Sequence, residues 1–479
     1  MTISRADLPV VVDRRAAAPL AAQISAQVRE AVTVGVLGLG ERLPSTRDLA
    51  DMLGVSRTVV TTAYTQLFAE GWLEGRHGSG TYVADVAPGL SPPPPASPPR
   101  PASPAPTASS ATAPGDLIEL RPGVPWAAGI EPAVWRRAWR SAGTRPPALW
   151  PDPYGLPELR AELAAYLRRS RGLLATPANI LVTRGVAGGL ALLAAALVRP
   201  GDTVGVEEPG YPAAREVLHR AGARVVPCRV DVHGIVPDEL PRNLRLLYTT
   251  PAHQYPLGGR LPVARRHALI GWARATGAVV VEDDYDSEFR YDVGPLPALH
   301  SMDPDVIVYL GTASKVLAPG FGAGWLVADP HLVERLAQVR VGLGDRVPDP
   351  VQHALLTLLA TGDLERHVRR MRLEYARRRA ALVEALTSPC DVCAPSRLLG
   401  ETAGMHVVLE LPAARQADRL VAAAAERGVA LWTLDRYFAG PPTVSGLILG
   451  YGAAPLSAVR RAAAELRALL TPVAYPGPA

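Results

Sequence analysis

Lysine is nearly missing from this 479-residue chain: among its 50 lysines and arginines the only lysine is Lys315. Arginine can replace lysine in almost any salt bridge or solvated surface, but a guanidinium stays protonated and cannot serve as an amine nucleophile. Lys315 is therefore either a chance survivor of arginine bias or an amine kept for its chemistry. Cysteine is scarce as well. Cys228, Cys390 and Cys393 cannot build a disulfide framework. The CDVC pair at 390–393, with no second such pair or histidine pair to complete a zinc site, reads as ordinary structural cysteine. No metal site is expected.

Long hydrophobic runs are also lacking. The longest, VAGGLALLAAALV at 186–198, falls short of the roughly 20 residues a membrane span needs. The opening residues MTISRADLPVVVDRR mix acids with bases and carry no long apolar core of a signal peptide, so the expected location is the cytoplasm, with no membrane partner. No repeat of fixed period is present, which argues against a solenoid. A net charge of only +5 excludes an overwhelming basic field, so any contact with nucleic acid must come from locally placed arginines.

What is present divides the chain. A hydrophobic content of 48% with 20% charged residues is that of a globular protein, and the length calls for two or more domains. Residues 85–115, with the run SPPPPASPPRPASPAP, combine backbone-stiffening proline with side chains too small to build a core, which reads as a flexible linker. It separates a small domain, 1–84, from a large one, 116–479. In the large domain NILVT, TVGVEE, LRLLYTT, VVVEDD and VIVYLG are short apolar runs alternating with helical patterns. These are βα units around a mostly parallel buried sheet, with a smaller α/β subdomain from about residue 380. Ligands of such sheets sit at the carboxyl ends of the strands.

In the small domain residues 19–36 form a first helix. Ser45 is placed to cap TRDLADML, Gly54 breaks that helix, and Ser56 is placed to cap RTVVTTAYTQLFAEG, which ends at Gly71. Helix, short glycine turn and helix make the DNA-reading motif. WLEGRHGSGTYVA then reads as two strands around a turn at Gly78 to Gly80, a wing for the minor groove. Arg47, Ser56, Arg57, Thr58, Gly78 and Gly80 are the candidate DNA contacts, the arginines lying at helix starts where phosphate is favoured. The segments RLPSTRDLA, GVSRTVV, AYTQLFAEGWLE and GSGTYV resemble the winged helix of GntR-type transcriptional regulators.

A Schiff-base lysine needs an electron-sink cofactor. Pyridoxal phosphate asks for an acid at its pyridine nitrogen, a donor at its ring hydroxyl, an aromatic on its face and ligands for its phosphate. The large domain offers each in order. AVVVEDDYDSEFRY ends a buried strand with Asp283 for the ring nitrogen and Tyr285 for the hydroxyl. Tyr211 in EEPGYP is placed to stack. The amides of Gly185, Val186 and Ala187 open a helix suited to phosphate, and Thr312 and Ser314 add hydroxyls. Each alone is an ordinary structural residue; their order around the only lysine is the signal.

EEPGYP, YTTPAHQYPLGG, EDDYDSEFRY, GTASK followed by LAPG, and LERHVRRMRLEYARRR together resemble the fold-type I aminotransferases. Their pairing with a GntR-type domain looks like the MocR (PdxR/GabR-like) regulators. That resemblance implies an N-terminal winged helix-turn-helix joined to a fold-type I, PLP-dependent transferase-like α/β domain. It also implies Lys315 as the Schiff-base amine, Asp283 on the pyridinium, Tyr285 on the ring hydroxyl and Tyr211 stacked. Further implications are a head-to-tail homodimer on promoter DNA and a large domain that senses cofactor or an amino compound more than it turns substrate over. An active aminotransferase with a DNA-binding module, and a regulator with a decayed cofactor site, stay open beside it. This chain departs from the pattern at Gly322, where the family places an arginine on the phosphate, at Ala187 and Gly188 in place of paired glutamines, and at Ile448 near the usual carboxylate arginine. It also lacks the transaminase asparagine beside the ring hydroxyl; His253 and Gln254 stand in that loop.

Overall fold

Between the N-terminal helices, apolar residues recur at helical spacing and close a small core of their own. In the computed structural model α1 (Leu20–Thr33), α2 (Thr46–Leu53) and α3 (Arg57–Glu70) pack through Ile24, Val28, Leu49, Val60, Tyr64 and Leu67. The structure describes residues 10–14, 16, 18–76, 80–84, 117–146, 148–292, 297–387, 397–400, 402–412 and 414–470. The Ser45 hydroxyl accepts from the Asp48 amide at 3.2 Å, and left-handed Gly54 and Gly71 end α2 and α3. The capping expected of Ser56 does not occur. Ser56 holds the cap position of α3, but its side chain accepts no helix amide and stays exposed beside Arg57 and Thr58. The wing pairs β1 (Leu73–Arg76) antiparallel with β2 (Gly80–Val83). Gly80, expected in the turn, opens β2 opposite Arg76, because Thr81 and Tyr82 continue the pairing register. Gly78, the expected linker at 85–115 and the CDVC pair lie outside the described residues.

The large unit runs β3 (Ile118–Glu119), α4 (Pro132–Gly143), α5 (Pro157–Arg171), β4 (Ile180–Thr183), α6 (Gly185–Leu197), β5 (Thr203–Glu208), α7 (Pro212–Arg220), β6 (Arg224–Asp231), β7 (Gly234–Ile235), β8 (Leu246–Thr249), α8 (Val263–Thr276), β9 (Val279–Asp284), β10 (Ile307–Thr312) and β11 (Gly324–Val327). It continues through α9 (Pro330–Leu343), α10 (Asp349–Ala360), α11 (Asp363–Thr387), β12 (Arg397–Leu399), β13 (His406–Leu411), α12 (Ala414–Glu426), β14 (Val429–Ala430), β15 (Trp432–Thr433), β16 (Ser445–Gly450) and α13 (Leu456–Leu470). The main sheet has the order β4-β11-β10-β9-β8-β5-β6-β7. The pairs from β10 to β6 are parallel; β11 is antiparallel to both neighbours, and β7 to β6.

Both faces of that sheet are covered, which is why its strands read as unbroken apolar runs. Leu246, Val281 and Val308 pack with α6, α7 and α9 on one face, while Leu247, Val280 and Ile307 pack with α8 on the other. The smaller sheet, β12-β13-β16-β15, is antiparallel, and the short β3 pairs parallel with β14. The first strand of the large unit thus docks onto the C-terminal part of the chain. Among the described residues no helix is long and apolar enough to cross a membrane, and no group of three or more His, Cys, Asp or Glu is placed to hold a metal ion.

Candidate functional site

Strand alternation sorts the acids of EDDYD to different tasks. Glu282 accepts the amides of Leu299 and His300, each at 2.8 Å. Asp284 forms a buried ion pair with Arg171 at 2.6 Å and accepts from Tyr309 at 2.6 Å. Asp283, on the opposite side of β9, accepts at Oδ2 from the hydroxyl of Tyr248, while its Oδ1 is buried with no hydrogen-bond partner. Burial pushes the Asp283 carboxyl up to about 7, against the lowering effect of the Tyr248 bond and with a further push from Asp284.

Lys315 lies in the same interior, in the loop after β10. Burial lowers its ammonium below the ordinary range, and the carboxylates of Asp283 and Asp286 pull it back up. Its Nζ donates to the carbonyl of Gly123 at 2.8 Å, a partner that lies between β3 and α4. Gly123 has φ +82, and a Cβ there would come within 2.9 Å of Nζ. The glycine is what lets the backbone approach the amine.

At the carboxyl end of β4, Gly185, Val186 and Ala187 form the first turn of α6, the positive end of a helix. A Cβ on Gly185 would stand 3.6 Å from Thr312 Oγ1 and 3.8 Å from Ser314 Oγ. Those two hydroxyls are 3.0 Å apart, so amides and hydroxyls from β4–α6 and β10 converge, as a phosphate cradle requires. Arg184, one residue before the turn, pairs with Asp345 at 2.6 Å. Gly322 is left-handed (φ +66), and a Cβ added there would meet nothing within 4 Å.

Tyr211 caps α7 and is largely buried, its hydroxyl raised by burial and by Asp283, with its ring edge-on to Tyr255 at 6.0 Å. The Tyr285 hydroxyl lies 2.9 Å from His253 Nδ1, and that nitrogen lies 3.0 and 3.2 Å from the Asp286 oxygens. The predicted residues Lys315, Asp283, Tyr285, Tyr211, Gly185, Val186, Ala187, Thr312 and Ser314 thus gather at the carboxyl ends of β4, β5, β9 and β10. Sequence reasoning missed Tyr248, hidden in the apolar run of β8, and Gly123, whose role needs the fold. It also missed the His253–Asp286 pair, although HQ in PAHQYPLG was an available signal. Ile448 faces the apolar core beside Val408 and Leu434.

Arg47, Ser56, Arg57 and Thr58 are exposed at the starts of α2 and α3, with Arg57 Nε 3.3 Å from Thr46 Oγ1. Arg57, Thr58, Thr61, Thr62 and Thr65 on α3 line a cleft of about 360 Å³ that also includes Asp292 of the large unit. Nearby, Trp72 meets His267 edge-on at 6.3 Å, and Gly71 packs on Pro262.

Residues 20–83 match the family described as bacterial regulatory proteins of the gntR family, and residues 125–438 match aminotransferase class I and II. The HTH-type pyridoxine biosynthesis transcriptional regulator PdxR of Corynebacterium glutamicum is 38% identical over 461 residues, covering 96% of this chain and 98% of that protein. The probable rhizopine catabolism regulatory protein MocR of Rhizobium meliloti is 35% identical over 480 residues, covering 96% and 95%. The chain belongs to the MocR/PdxR-like HTH-type transcriptional regulators. Its large unit has the fold-type I aminotransferase architecture. An archaeal alanine:glyoxylate aminotransferase superposes with TM-score 0.68 at 26% identity over 74% of this chain and 91% of that one. LysN, the alpha-aminoadipate aminotransferase of Thermus thermophilus, solved with N-(5'-phosphopyridoxyl)-L-leucine, superposes with TM-score 0.66 at 27% identity over 74% and 92%. In this regulator, then, a GntR-type DNA-binding unit is joined to an aminotransferase-like one.

Proposed function

We propose that this MocR-family regulator binds promoter DNA through the winged helix within residues 1–84 and holds pyridoxal phosphate at Lys315 within residues 116–479. The carrying observation is the buried, partnerless Oδ1 of Asp283 in the same pocket as the only lysine. A buried carboxylate oxygen without a donor is costly, and a protonated pyridine nitrogen is the donor this site fits. Tyr211 would stack on the ring, Tyr285 would reach its hydroxyl, and the α6 amides with Thr312 and Ser314 would take the phosphate. When bound, the cofactor supplies an aldehyde that condenses with the lysine amine. Burial favours the neutral, nucleophilic form of that amine.

Cofactor supply is the signal that fits best. Ile448 puts a core side chain where aminotransferases keep a carboxylate-binding arginine, so a free α-carboxylate lacks its clamp, and steady transamination is disfavoured. A relative's name ties it to pyridoxine biosynthesis. The protein would work as a cytoplasmic head-to-tail homodimer. Exposed Leu149, Trp150 and Val341, around a cleft of about 330 Å³ formed with Arg340 and Val347, offer the apolar face for it.

An absorbance spectrum of the purified protein with added pyridoxal phosphate tests the cofactor reading. A band near about 420 nm that depends on Lys315 is expected; no band, or an equal one in Lys315→Ala, would sink it. A DNA footprint that shifts with cofactor, without turnover of amino donors, separates sensor from enzyme.

A further inference from the structure

We infer that His253 and Asp286 are positioning residues that aim the Tyr285 hydroxyl hydrogen into the cofactor pocket, a reading that rests on the pyridoxal phosphate site proposed above. The geometry fixes the proton. Both Asp286 oxygens lie within 3.2 Å of His253 Nδ1, and a carboxylate only accepts, so Nδ1 carries the hydrogen. The Tyr285 oxygen lies 2.9 Å from that same nitrogen. A nitrogen already bearing hydrogen cannot accept the phenol proton, so the Tyr285 O–H is left to point elsewhere.

The site is built for this arrangement. His253 and Asp286 are 2% exposed each, and the imidazole stacks on the Tyr285 ring with centroids 6.0 Å apart. Gly404 makes room for the pair: a Cβ there would fall 2.2 Å from His253 Cε1 and 2.5 Å from Asp286 Oδ2. The charged and titratable groups facing it are Asp283 on β9, Tyr255 in the loop after β8, His406 on β13, Glu207 on β5 and Lys315. Burial and His253 hold His406 down to about 4, so it is neutral over the working range. Transaminases use an asparagine beside the ring hydroxyl; this chain has none there, so a correctly aimed tyrosine is the remaining donor to that oxygen. A donor on the ring oxygen stabilises its anionic form and makes the neighbouring Schiff-base nitrogen easier to deprotonate.

The test is a pH titration of the visible band of the cofactor-loaded full chain. Tyr285→Phe should raise the midpoint by about one pH unit, and Asp286→Asn, which keeps the side chain's shape, should raise it by less, because it also removes a carboxylate that favours the protonated nitrogen. His253→Phe should raise it too, and neither change should add to the shift already present in Tyr285→Phe. Midpoints of both single variants equal to wild type while Tyr285→Phe moves, or full additivity on the Tyr285→Phe background, would overturn the inference and leave the cofactor site standing. Absence of a band in the wild type would overturn both.

Discussion

Lys315 and Gly123 are 192 residues apart in sequence and joined by a 2.8 Å hydrogen bond from amine to carbonyl. The segment holding that carbonyl follows β3, so the site lysine grips the stretch between β3 and α4. Gly123→Ala must accept a left-handed backbone and a Cβ against Nζ. It is expected to cost roughly 1–2 kcal/mol of stability and to weaken formation of the visible band. Urea unfolding and a cofactor titration check both; unchanged values in each would remove the grip.

Asp283 makes the ligand-free protein sensitive to pH. Its carboxyl is pushed up to about 7 by burial, whereas an unfolded aspartate titrates near about 4. Between those values the folded chain holds more protons than the unfolded one, so this group's contribution is present at low pH and lost as pH rises through about 7. Wild-type melting temperature should therefore fall relative to Asp283→Asn between pH 5 and pH 8, in melts without cofactor. A constant difference between the two proteins across that range would count against a low-dielectric site.

In the proposed cofactor site, Gly322 would leave the phosphate without the arginine that the family resemblance implies. Gly322→Arg adds a charge-assisted contact of roughly 1.5–3 kcal/mol at a left-handed position that costs about 1–2 kcal/mol. A several-fold gain in pyridoxal phosphate affinity, with no gain for pyridoxal lacking the phosphate, is the expected result of parallel spectroscopic titrations.

Arg57→Ala should weaken operator binding at low salt and reduce the salt slope by about one counterion. Mobility shifts over a salt series measure this, and an unchanged slope would move the phosphate contact elsewhere.

Trp150 is 92% exposed, which is unusual for a large aromatic away from an interface. Trp150→Asp is expected to shift the protein toward monomer in sedimentation velocity at micromolar concentration. An unaltered dimer would place the interface on another face.

Much of this was legible from residues alone. The β8, β9 and β10 runs announced a parallel sheet because burial on both faces demands apolar side chains at every position. Asp283 could be read as the acid at the end of a buried strand, with Tyr285 just beyond the strand's last residue, Asp284. The insertion of antiparallel β11 between β4 and β10 was not legible, since GWLV has the same composition whichever way it runs. Nor was the docking of β3, only two residues long, onto β14. Tyr248 looked like core because it is core, differing only in where its hydroxyl ends. Ser56 satisfied the sequence rule for a cap, yet its side chain makes no cap hydrogen bond to the helix.

The cleft between α3 and Asp292 has one more consequence. It holds about 360 Å³ between α3 and Asp292, while a reading helix must lie in a major groove about 12 Å wide. If α3 is the reading helix, the threonines that line the cleft with Asp292 are those that would have to face bases, so an operator and the aminotransferase-like unit would compete for one surface. Competition of this kind is reciprocal. If a ligand at the proposed Lys315 site shifts operator affinity, the operator must shift that ligand's affinity by the same factor, so promoter DNA would itself serve as a reagent for measuring how tightly the site is filled.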